Sequence, residues 1–148
     1  MILQEEASMR GAFMTIKAFI VTAVVIFCVL FVYALTSVSV FPDGERYEYY
    51  TGTSSEEIIV SRSPYKKLFL SDIKGESVRY TGDRAEELIS RFRAKILFTE
   101  EAAGVVNYYC YSSFLKNSVL IGGKTVNLHI ACSGSETAAG TPVIFGGF

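Results

Sequence analysis

The sequence predicts an α+β protein: one N-terminal transmembrane helix, then a small, mainly antiparallel sheet domain with one packed amphipathic helix. Three observations carry this. Residues 18–40, beginning at Ala18 and ending at Val40, form a run of 23 residues without a charged side chain. The rest is a succession of short β-branched and aromatic segments separated by breaks rich in Gly, Ser and charge. Among these a single segment has helical spacing, and no alternating βαβ pattern exists.

At about 1.5 Å of rise per residue, the apolar run is long enough for a hydrocarbon core of about 30 Å. It exceeds the ~7–15 residues of a signal-peptide core, so an uncleaved anchor is expected, with a small-x-small site at Ser37-Val38-Ser39 as the alternative. Gly11-Ala12-Phe13 could begin a pilin-type anchor, but Ile16 stands where that pattern needs Glu. Arg10 and Lys17 precede the run, and a long domain follows it, so the positive-inside rule predicts a cytoplasmic N-terminus and an exported domain. Tyr33 and Phe41 are the expected aromatic residues of the outer interface, and Pro42-Asp43-Gly44 the expected helix stop. The chain thus divides into a cytoplasmic tail (1–17), an anchor through the lipid bilayer (18–40), a juxtamembrane strand and linker (41–55) and an extracytoplasmic domain (56–148).

Along the outer part, Arg46–Tyr50 alternates and reads as a strand, and residues 51–55 as a loop. Residues 57–61 are β-branched and read as a second strand. Residues 68–73 and 77–80 flank Lys74-Gly75 as a hairpin. Asp83 and Glu86 make a capping-box-like start to a helix reaching about Ala94, with Ala85, Leu88, Ile89 and Phe92 on one face. Strands follow at 95–99 and 105–112, separated by a turn at 100–104. Residues 119–121 and 124–132 form a hairpin on Gly122-Gly123. In its second arm Val126, Leu128, Ile130 and Cys132 share the apolar face, and Thr125, Asn127, His129 and Ala131 the other. Residues 133–140 read as a polar loop and 141–145 as the closing strand, with Pro142 at its start or on an edge.

From Phe41 onward there are 13 acidic and 12 basic residues, interspersed. No basic stripe tracks a phosphate backbone, so nucleic acid is not an expected partner. Lys66-Lys67 reads as a solvated pair. Cys28 lies in the anchor as an apolar filler. Cys110 and Cys132 are an even pair in an exported domain, which suggests a disulfide worth about 3 kcal/mol; the alternative is two buried thiols on neighbouring strands. Two Cys and one His do not make a structural zinc set, and no metal or cofactor is expected.

Catalytic signals are weak. His129 is the single histidine; a triad would need a nucleophile and an orienting acid beside it. Ser112, Ser113 and Ser133 lie in no nucleophile elbow. Glu56-Glu57 and Glu100-Glu101 are neighbours that a strand would point to opposite faces. No enzyme is predicted. Tyr108, Tyr109 and Tyr111, with His129, are the candidate interaction surface, for an envelope protein or a glycan.

Tyr111-Ser112, the stretch Gly123-Lys124-Thr125-Val126-Asn127-Leu128-His129-Ile130-Ala131, and Gly140-Thr141-Pro142-Val143-Ile144 resemble the end of YwmB-type proteins. These are exported or anchored proteins of Gram-positive spore formers, with a TATA-box-binding-like fold. The resemblance covers residues 104–148. It implies an antiparallel sheet with a packed helix, no catalytic residues and no DNA binding. The expected function is therefore a single-pass, extracytoplasmic binding protein of the cell envelope, with a wall hydrolase or glycan binder as the alternative.

Overall fold

A computed structural model describes residues 2–41, 43–52 and 58–146, with side chains from Phe13 onward; Pro42, Glu56 and Glu57 lie outside the described residues. The chain forms two units, residues 1–37 and 38–148.

The first unit is one helix, α1 (Ile2–Thr36). Its stretch Phe13–Thr36, 24 residues, is long and apolar enough to cross a membrane. Its large apolar side chains, Phe19, Phe27 and Leu30 among them, are exposed, unlike those of a soluble core helix. The helix stops at Thr36, short of the predicted Val40. The Thr36 hydroxyl bonds back to the Val32 and Tyr33 carbonyls at 3.0 and 3.1 Å.

The second unit is a seven-stranded antiparallel sheet with one face closed by a short helix. Its strands are β1 (Arg46–Tyr50), β2 (Ile58–Ser61), β3 (Gly75–Thr81), β4 (Lys95–Ala102), β5 (Val105–Tyr111), β8 (Leu128–Cys132) and β9 (Glu136–Thr141), in the order β2-β1-β3-β9-β8-β5-β4. A separate hairpin pairs β6 (Val119–Ile121) with β7 (Lys124–Val126). Period-two alternation sends Tyr47, Tyr49, Val78, Ala139, Ile130 and Cys110 to one face. There α2 (Ala85–Arg91) lays down Ala85 and Leu88, followed by Phe92. Asp83 holds the start of α2 by accepting the Ala85 amide at 3.0 Å, and this bond depresses its carboxyl pKa.

Phe41 is not at a membrane interface. It is 1% exposed and meets Phe92 edge-on at 5.4 Å between ring centroids. Ser39 is also buried. The domain therefore begins before Phe41, and the strand expected at Arg46–Tyr50 is β1, an inner strand of the domain's own sheet.

Three other expectations change. Residues 133–140 are not a loop throughout: β9 occupies 136–141 and pairs with both β3 and β8. Its sequence, ETAAGT, lacks large β-branched residues because both of its faces are covered. Residues 68–73 do not pair with β3; Pro64–Phe69 is a 3-10 turn whose start is capped by the Ser63 hydroxyl. The strand expected at 124–132 breaks at Asn127. The 122–123 turn stands as read, with φ of 57° and 76° at its two glycines.

Cys110 and Cys132 are buried free thiols. Cys110 pairs with Leu128, and Cys132 with Val106. They share a face but lie four residues apart along the strands, about 13 Å at strand rise, beyond the ~7 Å a disulfide spans. Burial pushes the Cys110 thiol up to about 11, which removes it as a nucleophile at neutral pH.

Candidate functional site on the open face of the sheet

The face opposite α2 is built from the alternate residues of the same strands. Tyr109 and Tyr111 lie on it; Tyr108 does not, being packed against the core on the helix side. The predicted tyrosine surface is thus divided by strand periodicity.

Across β4, β5 and β8 this face carries a stack of three rings. Phe98 and Tyr109 are parallel within 15° at 4.5 Å, and Tyr109 and His129 within 10° at 4.5 Å. Both faces of Tyr109 are therefore occupied. The Lys124 ammonium sits 5.3 Å from the Phe98 centroid and donates to the Leu97 carbonyl at 3.0 Å. Burial, with the Glu100 carboxylate beside it, pushes the Tyr109 phenol above its ordinary value. A sugar stacks on an open ring face, and the inner ring of this ladder, Tyr109, offers none.

His129 is engaged on both ring nitrogens. The Ile144 amide donates to Nδ1 at 3.4 Å, and Nε2 lies 3.0 Å from the Asn107 side-chain oxygen. An acceptor at Nδ1 puts the proton of the neutral ring on Nε2, where it meets the Asn107 oxygen. Burial lowers the His129 pKa to about 4, so the ring is neutral at physiological pH. Ser112, one of the serines that the sequence leaves outside any nucleophile elbow, is buried and gives its hydroxyl to the Phe92 carbonyl at 2.6 Å. Ser133 bonds Ser135 and the Glu136 carbonyl. Neither is brought to His129. Among the described residues no group of three His, Cys, Asp or Glu side chains is placed to hold a metal ion.

Residues 141–145 are not the closing strand the sequence predicts: the last strand, β9, ends at Thr141. After β9 the chain doubles back over its own sheet, so that residues 142–146 lie on the open face. Phe145 stacks on Tyr50 at 4.3 Å and 9°, Ile144 bonds His129, and Gly146 approaches the Glu48 carboxylate. Two strand glycines admit this. A Cβ on Gly75 would run into the Phe145 ring, and one on Gly140 would sit 2.5 Å from the Val143 carbonyl oxygen. Gly140→Ala is therefore expected to unseat residues 142–146 at a cost of about 1–3 kcal/mol. Hydrogen exchange at the Ile144 amide reads this directly, and unchanged protection would contradict it.

Beneath the segment Glu48 is buried with Arg46 at 3.2 Å, Arg79 at 3.8 Å and the Ser77 hydroxyl at 3.5 Å. What stays open is the end of β5: Tyr111 is 44% exposed and Phe114, three residues on, is exposed as well, whereas Ile96, opposite Cys110, is exposed on the α2 side. Comparison with protein-family models, with curated proteins and with solved structures finds no match.

Proposed function

We propose that this chain is a single-pass membrane protein with a cytoplasmic N-terminus, and that its domain works outside the cell by binding another protein of the envelope. The apolar helix and the placement of Arg10 and Lys17 before it support the topology. The resemblance of residues 104–148 to YwmB-type proteins adds a setting, the envelope of a sporulating Gram-positive cell. The observation that carries the binding reading is the exposed aromatic end of β5, with Tyr111 and Phe114, beside a ladder whose central ring has both faces filled. Such a surface suits the edge and side-chain contacts of a protein partner better than sugar stacking. A wall hydrolase finds little support in a neutral, doubly bonded His129.

A photocrosslinking amino acid at Phe114 of the full-length protein tests this in cells. A single envelope protein captured in stoichiometric yield is expected. Tyr111→Ser should reduce that capture about tenfold, as loss of an interfacial aromatic anchor does, while leaving the melting temperature unchanged. Wall fragments captured in place of a protein would move the function to glycan binding.

A further inference from the structure

The 3-10 turn Pro64–Phe69 is built against the point where the chain enters the domain. The Pro64 carbonyl accepts the Ser39 amide at 3.3 Å and the Tyr49 hydroxyl at 3.2 Å. The Glu76 carboxylate, itself buried, accepts the Val40 amide at 3.1 Å and the Lys67 ammonium at 3.0 Å. Two acceptors thus tie the first domain residues and the turn to the same part of the sheet. Lys67 is used up in this, but its neighbours are not turned inward. Tyr65 is 60% and Phe69 81% exposed, and Lys66 and Arg62 are exposed as well. The 3-10 repeat of three places Lys66 and Phe69 on one side of the turn. Residues 62–70 read RSPYKKLFL, with three basic residues and no acidic one.

We propose that this turn docks on the bilayer surface, with Tyr65 and Phe69 in the interfacial layer and Lys66 and Arg62 on anionic lipid headgroups. The proposal rests on the membrane reading of Phe13–Thr36. The constraint is covalent: three Cα–Cα steps separate Thr36 from Ser39, at most about 11 Å of chain, whatever direction the helix takes. The headgroup layer on each side of the hydrocarbon core is about 5–8 Å deep. The turn bonded to Ser39 is therefore within reach of the leaflet in which the span ends. Aromatic rings partition to that layer, and basic side chains gain there from anionic lipid. The sequence assigned the interfacial ring to Phe41; Phe41 is in the core, and the exposed rings beside the same junction are Tyr65 and Phe69.

The chain has no tryptophan, so Phe69→Trp introduces a single reporter. The full-length variant is reconstituted in vesicles of phosphatidylcholine and phosphatidylglycerol, with spin-labelled lipid as quencher. The reference is Ala102→Trp at the far edge strand, five strand spacings from β1, about 24 Å. Docking predicts a blue-shifted indole at position 69, quenched several-fold more strongly by headgroup-labelled lipid than the reference. Adding Lys66→Glu should lower the docked-to-undocked ratio about fivefold. Equal quenching at the two positions, in protein that resists alkaline extraction, overturns the docking while leaving the span intact. Protein stripped from the vesicles by alkali overturns the span, and the docking with it.

Discussion

Asn127→Leu is expected to destabilise the domain by about 4 kcal/mol. Asn127 is 1% exposed, and its side chain does the work of a missing strand. Its oxygen accepts the Ser112 amide at 2.7 Å, and its nitrogen donates to the Ser112 and Leu115 carbonyls at 2.6 and 3.0 Å. Leucine fills the volume but leaves the Ser112 amide and the Leu115 carbonyl buried without these partners, at about 1–3 kcal/mol each. The effect should spread, because the Ser112 hydroxyl also ties this loop to Phe92 at the end of α2. Thermal unfolding of the full-length chain, followed by near-ultraviolet dichroism of its tyrosines, should show a midpoint lower by about 15–20 °C. A shift of only a degree or two would mean that water replaces the asparagine.

Acid is expected to weaken the fold through His129. Its pKa is lowered from 6.5 to about 4 by burial. Between those values the unfolded chain binds a proton that the native ring refuses, so stability rises with pH across the window and is complete above 6.5. The gap corresponds to about 3 kcal/mol. Protonation would turn Nδ1 into a donor facing the Ile144 amide, so residues 142–146 should loosen first. Asp83 adds a separate loss at lower pH: its depressed pKa contributes stability above 3.8 that disappears as pH falls through the native value. Melting temperatures across the upper window check the assignment. His129→Gln should flatten the profile there and leave the Asp83 step; an unchanged slope would place the proton elsewhere.

The fold class and most strands were legible because their physics is local. Tyr47, Tyr49, Val78, Ile130 and Leu128 alternate as a half-buried sheet requires, and Gly122-Gly123 supplies the positive φ of its turn. What was not legible depends on neighbours distant in sequence. β9 hides because Ala138, Ala139 and Gly140 are small, and they are small because helix and returning chain press on both sides. The pairing of Cys110 with Leu128 depends on register, which cysteine spacing alone does not encode. Asn127 carries no local mark of its role, since an asparagine on the polar side of a strand is ordinary. The division of Tyr108 from Tyr109 and Tyr111 was within reach of the sequence, because alternation alone separates them.

β9 gives the domain an unusual order of assembly. β2, β1 and β3 come from its first half, and β4, β5 and β8 from a later stretch; each trio can pair within itself as it is synthesised. No strand pairing joins the two until residues 136–141 leave the ribosome and slide between β3 and β8. Until then each half-sheet has an unpaired edge at what becomes the centre of the protein, the type of edge that recruits strands from other chains. In the proposed membrane topology the first helix would hold the growing chain at the bilayer through this whole stage, with both of those edges still open.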